Sequence, residues 1–174
     1  HENTKTRSKP VLFFVVSSLR GVLCSAVSAL NVLTENAVRL FVAIDLDKDA
    51  REAIGRAQER LAKALDTDRS IKWVEPAHMH LTLAFLGEMA DPAVPAIVKA
   101  LSVNIDARPF AAVLQGLGVF PPRGAPRVLW LGVGDGASEI VGTQRVVTGR
   151  VADVGVTLDR RPFHPHLTLA RWRV

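Results

Sequence analysis

The 174-residue sequence predicts an α+β protein made of two pseudo-symmetric lobes flanking a cleft. Three observations lead there. The pentapeptide His80-Leu81-Thr82-Leu83-Ala84 recurs identically as His166-Leu167-Thr168-Leu169-Ala170, 166 − 80 = 86 positions later. Within each copy the leucines alternate with His and Thr, the period of a half-buried strand. Around each copy, strand-like and helix-like segments follow one another in a similar order. Leu81, Leu83, Leu167 and Leu169 are therefore assigned to a core. His80, Thr82, His166 and Thr168 are assigned to the opposite faces, imidazole and hydroxyl about 6.5–7 Å apart along each strand. In a duplicated unit the two polar faces can meet across one cleft.

The elements follow in chain order. Arg39 to Leu46 is rich in β-formers and reads as a strand. Asp47 or Asp49 can cap the helix after it, because a short carboxylate accepts from the free amides of the first turn. Ile54, Ala57, Leu61 and Leu65 recur at helical spacing. Ile71 to Val74 is a short strand broken at Glu75-Pro76. His78 to Leu86 is the first motif strand, ended by Gly87. Asp91-Pro92 opens a second helix with Ala96, Ile97, Ala100, Leu101 and Ile105 on its apolar face. Phe110 to Val119 is a strand broken at Gly116 and Gly118, Arg127 to Val133 an apolar strand, and Ser138 to Val154 a helix. Val156 to Leu158 is expected as a strand. Pro165 then stiffens the entry to the second motif strand.

Two imidazoles facing one cleft suit proton transfer. An unperturbed imidazole has a pKa of about 6.5, so one can accept a proton while the other donates. Threonine hydroxyls can donate to anionic oxygens. Together these groups describe phosphodiester cleavage without a metal. Two other readings stay open. The pairs His78-x-His80 and His164-x-His166 put four imidazoles near one another and allow a metal-dependent hydrolase. A non-catalytic RNA-binding module on the same scaffold is the second. Phe120 and Trp73 are candidates to stack on a base, although core packing is the preferred reading for both. Arg123, Arg127, Arg160 and Arg161 are candidates to line an approach for RNA or simply to be solvated.

The sequence resembles the two-histidine phosphoesterases, and among them the RNA 2′,3′-cyclic phosphodiesterases also called 2′-5′ RNA ligases. The family's two His-x-Thr-x motifs are matched by His80-Leu81-Thr82-Leu83 and His166-Leu167-Thr168-Leu169. Similar flanking stretches are Arg39 to Leu46, Lys72-Trp73-Val74-Glu75-Pro76, Gly116 to Pro121, Pro126 to Gly132 and Arg161 to Pro165. The resemblance implies lobes of antiparallel sheet plus helices, with one motif on each lobe. It implies His80 as proton donor to the leaving oxygen and His166 as proton acceptor from the attacking water. It implies Thr82, Thr168 and Arg171 as substrate-binding residues at the phosphate. Arg171 has the wrong parity for the cleft in a regular strand, so it needs a twist or bulge to reach it. No cofactor and no metal site is implied. The partner implied is RNA with 2′,3′-cyclic phosphate ends, met by a cytoplasmic monomer.

Composition sets the limits. An apolar fraction of 48% excludes a disordered chain, and a net charge of +5 is compatible with an anionic partner. The single cysteine, Cys24, excludes an internal disulfide. Residues 1–37 fall outside the pattern. Their basic start, short apolar run and Val27-Ser28-Ala29 allow a signal peptide. The preferred expectation is an extension or mistranslated upstream sequence, with Val38 at the place of a GTG start and residues 38–174 forming the domain. Arg20 breaks the apolar stretch, so no membrane span is expected. Family members continue past the second motif, so a domain cut short at Val174 is the expectation.

Overall fold

The computed structural model describes residues 11–15, 38–65, 70–106, 108–159 and 161–173. Arg160, the Val27-Ser28-Ala29 segment and residues 16–37 generally lie outside them. The elements in order are β1 (Val11–Val15), β2 (Val38–Asp45), α1 (Lys48–Ala64), β3 (Ile71–Trp73), β4 (His80–Met89) and α2 (Val94–Leu101). They continue with β5 (Leu114–Phe120), β6 (Val128–Val133), α3 (Ala137–Asp153) and β7 (His166–Trp172). Short 3₁₀ turns at Pro76–His78 and Asp91–Ala93 lead into β4 and α2.

The seven strands form one sheet in the order β1-β2-β4-β7-β6-β5, with β3 also paired to β7. All pairings are antiparallel except β1 with β2, which is parallel. The sequence sets residues 1–37 apart from the fold, yet Val11–Val15 adds a strand to the free edge of β2. The two lobes meet where the two repeats meet. β4 and β7 pair at Leu81↔Leu167, and an antiparallel register places His80 opposite Thr168 and Thr82 opposite His166. Opposed residues share a face. Both leucines point into the core, at 4% and 0% exposure, so all four polar residues share the opposite face.

The core has two parts, and the helices are exchanged between them. One cluster joins Leu40 and Val42 of β2 and Leu81, Leu83 and Leu86 of β4 to Ile97 of α2 and Ile140, Val147 and Val151 of α3. The other joins Ile54 of α1 to Met79, Leu129 of β6 and Leu167 and Leu169 of β7. The helix after β2 thus covers the lobe of the second motif, and the helix after β6 covers the lobe of the first. Each sequence half folds against the other.

Local details depart from the sequence reading in four places. The strand expected from Phe110 to Val119 is β5, which starts only at Leu114 and contains Gly116 and Gly118 instead of breaking at them. Gly87 does not end the motif strand: at φ 81°, a conformation that suits Gly, it lies inside β4 beside an irregularity in the pairing with β2. Residues 156–158 are irregular, although Val156 is buried. In α1 the buried positions are Ile54, Gly55 and Gln58, whereas Ala57 and Leu65 are exposed. Asp47 is the cap, its Oδ1 accepting from the Ala50 amide at 2.7 Å.

Candidate active site

Each motif histidine is held in the same way. His78 and His164 lie two residues before the motif histidines, and their carbonyls meet Nδ1 of His80 at 2.8 Å and Nδ1 of His166 at 2.7 Å. A carbonyl can only accept, so both Nδ1 atoms carry the hydrogen and both Nε2 atoms are left with a lone pair in the neutral ring. The His-x-His spacing thus contributes a backbone acceptor. Its extra imidazoles part: His78 stays at the cleft, and His164 packs into the second lobe. His78 is exposed, 3.5 Å from Glu75. His164 packs edge-on against Trp130 with ring centroids 4.9 Å apart. Among the described residues, no three His, Cys, Asp or Glu side chains gather where they could hold a metal ion.

A cleft of about 280 Å³ opens on the polar face. His80, Thr82, Thr168 and Arg171 line it, together with Phe41, Val74, His78 and Phe85. His166 shares the face but does not line this cleft. Its ring lies edge-on to Phe120 at 5.1 Å and near Trp130 at 6.1 Å, centroid to centroid. Phe120 therefore packs against the second histidine, and Trp73 packs against the core of that lobe. Arg123, Arg127 and Arg161 are exposed and none lines the cleft; Arg161 Nε donates to Asp159 at 2.6 Å.

Arg171 reaches the cleft through a β-bulge. β6 advances one residue from Leu129 to Trp130 while β7 advances two, from Ala170 to Thr168, which leaves Leu169 unmatched. The extra residue reverses the parity beyond it, so Arg171 falls on the face of Thr168. Strand β4 repeats the device: Val42 pairs with Ala84 and Ala43 with Thr82. There the reversed parity exposes Phe85, 61% accessible and 6.0 Å from Phe41, whose ring stacks on His80 at 4.9 Å. Phe85 and Arg171 each stand five residues past their histidine, so one cleft position carries an aromatic ring on the first lobe and a guanidinium on the second. The sequence reading missed Phe85, although its place in the repeat matched that of Arg171.

Burial dominates the titration of both histidines and lowers each pKa below its ordinary 6.5. The carbonyl contacts oppose this for each ring. Arg51, Arg171 and His78 lower His80 further, and His164 and Arg171 lower His166. Near pH 7 the neutral forms therefore dominate.

A cleft lined from two interlocked lobes by repeated His-x-Thr strands, with an arginine beside them, defines the two-histidine phosphoesterase class. The family model described as LigT-like phosphoesterase matches residues 44–130. A protein of Aquifex aeolicus named RNA 2′,3′-cyclic phosphodiesterase is 35% identical over 136 residues, covering 77% of this chain and 70% of that one. One of the same name from Geobacillus stearothermophilus is 36% identical over 132 residues, covering 75% of this chain, which spans only 41% of that longer protein. The crystal structure of TT0787 of Thermus thermophilus aligns with a TM-score of 0.67 at 30% identity, covering 78% of this chain and 75% of that one. The chain belongs to the LigT-like phosphoesterase family.

Proposed function

We propose that the chain hydrolyses RNA ends carrying a 2′,3′-cyclic phosphodiester to 2′-phosphomonoesters, without a metal. The observation that carries this reading is the Leu81↔Leu167 pair, which sets both His-x-Thr motifs on one face. The names of the similar proteins from Aquifex and Geobacillus support the substrate class.

The residues divide the reaction as follows. Nε2 of His166 takes a proton from water, and the water oxygen attacks phosphorus. The bond from phosphorus to the 3′ oxygen breaks, and Nε2–H of His80 protonates that oxygen. The product carries a 2′-phosphate and a free 3′-hydroxyl. Thr82 and Thr168 donate to non-bridging oxygens, and the Arg171 guanidinium faces the charge that builds on them. Phe85 offers a ring on which the terminal base can stack. With an RNA 5′-hydroxyl in place of water, the same steps form a bond from phosphorus to the 5′ oxygen as the bond to the 3′ oxygen breaks, joining ends through a 2′-5′ linkage; run backwards, they cleave that linkage. Residues 38–174 act as the catalytic unit. One copy supplies both motifs, which supports a monomer. None of the described helices is long and apolar enough to cross a membrane, which fits a cytoplasmic site of action.

The test is hydrolysis of an oligonucleotide ending in a 2′,3′-cyclic phosphate in excess EDTA. His80→Ala and His166→Ala should each lower the rate by about 10²–10⁴-fold. Activity that needs metal, or that survives both substitutions, refutes the reading.

A further inference from the structure

We propose that Arg51 is a positioning residue for the first motif histidine: it clamps the turn whose carbonyl holds His80 Nδ1, and so makes the surroundings of His80 unlike those of His166. The proposal rests on the functional reading above only for its kinetic arm.

Arg51 projects from the first turn of α1 and is mostly covered. Its Nε donates to the Leu46 carbonyl at 2.9 Å. Its Nη1 donates to the Ala77 carbonyl and reaches the Pro76 carbonyl at 3.4 Å. Its Nη2 donates to the Asp45 carboxylate. One planar fork thus ties the end of β2 to the 3₁₀ turn Pro76–His78. That turn ends in the carbonyl that receives His80 Nδ1–H at 2.8 Å, and Asp45 is paired directly with His80 across β2 and β4. A guanidinium suits this place because its donors have a fixed geometry and stay charged. At the matching place on the second lobe, His166 pairs with Gly132, which has no side chain. The turn before His166 is instead set by Pro165 and by the packing of His164 on Trp130.

The charged and titratable groups around His80 are Arg51 from α1, Arg171 from β7, Asp45 from β2, and His78 from the turn with its neighbour Glu75. After burial, the Arg51 charge is the largest influence holding the imidazole below its ordinary pKa, whereas His166 feels no such charge from α1. Loss of Arg51 then has two signatures confined to one histidine: the neutral ring loses its fixed tautomer, and its pKa rises.

The test is nitrogen-15 NMR titration of His80 and His166 in the full chain, comparing wild type with Arg51→Gln and Arg51→Lys. In wild type, neutral His80 is expected as the Nδ1–H tautomer. In Arg51→Gln its pKa rises and Nε2–H appears, while His166 is unchanged. In Arg51→Lys the charge stays and the fork is lost, so the pKa stays near wild type while the tautomers mix. If Arg51→Gln does not fold, the Lys variant decides by its tautomer. On a cyclic-phosphate end, kcat should fall about 10–10²-fold with KM nearly unchanged, the scale for a misplaced reacting group. An unchanged His80 tautomer in the variants, or equal changes at His166, overturns the proposal. Because NMR needs no substrate, inactivity toward RNA does not alter what the tautomers decide.

Discussion

Gln58 is 7% exposed inside a helix that otherwise buries apolar groups. Its Nε2 donates to the Val74 carbonyl at 2.8 Å and to the Leu169 carbonyl at 3.0 Å. Leu169 is the residue that the bulge in β7 leaves without a partner on β6. Its carbonyl also takes the Val74 amide at 2.9 Å. α1 of one sequence half therefore fastens the bulge that turns Arg171 into the cleft. Gln58→Leu keeps the volume close and removes both bonds. Each bond is worth about 0.5–1.5 kcal/mol net, and the Val74 carbonyl loses this donor, so the expected cost is about 2 kcal/mol. That is roughly a 30-fold loss in the folding equilibrium constant. At a urea m-value near 2 kcal/mol/M the midpoint falls by about 1 M. In steady-state kinetics on a cyclic-phosphate end, KM should rise more than kcat falls, because Arg171, the arginine proposed to face the phosphate, stands two residues beyond the bulge. A midpoint within about 0.2 M of wild type refutes the stability argument. A full loss of stability with unchanged KM refutes the link from Gln58 to Arg171.

Both motif histidines are held below pKa 6.5, chiefly by burial, so the singly protonated pair is most populated on the acidic side of that value. The pH profile of kcat/KM should peak below 6.5, and that of kcat should lie higher because a bound phosphate anion favours protonated imidazole; a kcat/KM peak above pH 7 contradicts this. The unfolded chain binds more protons than the folded one as pH falls through 6.5, so stability should decline there, and His80→Ala should shrink that decline in denaturant titrations. A Cβ at Gly118 would fall 2.1 Å from the Trp130 ring, so Gly118→Ala must displace the indole that packs on His164 and His166; unfolding should show a loss of about 1–3 kcal/mol. Phe85→Ala should leave stability within about 0.5 kcal/mol, given the ring's exposure, and raise KM for RNA ends more than for a cyclic phosphate without a base.

The sheet and the shared face of the motif side chains were legible because the repeat states them twice. Alternating leucines give the strands, and identical copies imply related faces. The parity of Arg171 was legible as a problem, since a regular strand turns it away, but its solution depends on register against β6, which one strand's sequence does not contain. Phe85 was missed for the same reason: period 2 carried past Ala84 buries it, and the bulge against β2 brings it out. Gln58 was hidden by its polarity. Its carbonyl partners are backbone atoms, one of them 111 residues away, that no side-chain pattern reveals. The strand expected at 156–158 rested on β-forming residues that pack into the core without a ladder. The exchange of helices was out of reach as well, because an amphipathic α1 shows one apolar face whichever lobe it covers.

A duplicated motif creates a difficulty that the fold resolves. The proposed hydrolysis needs one histidine to accept and the other to donate, yet the two pentapeptides are identical and both rings are held through Nδ1 by the carbonyl two residues back. The difference must come from what the repeat does not copy. Around His80 stand an arginine clamp, an aspartate across the strand pair and the Phe41 ring stacked on the imidazole. Around His166 stand a glycine across the pair and the edges of Phe120 and Trp130. The rim repeats the asymmetry, with Phe85 on one lobe and Arg171 on the other. A cyclic phosphate at a nucleotide end has the same polarity, a flat base on one side and an anion on the other. The pseudo-twofold supplies two imidazoles held alike, and in the proposed reaction the unmatched side chains fix the direction in which a substrate lies between them.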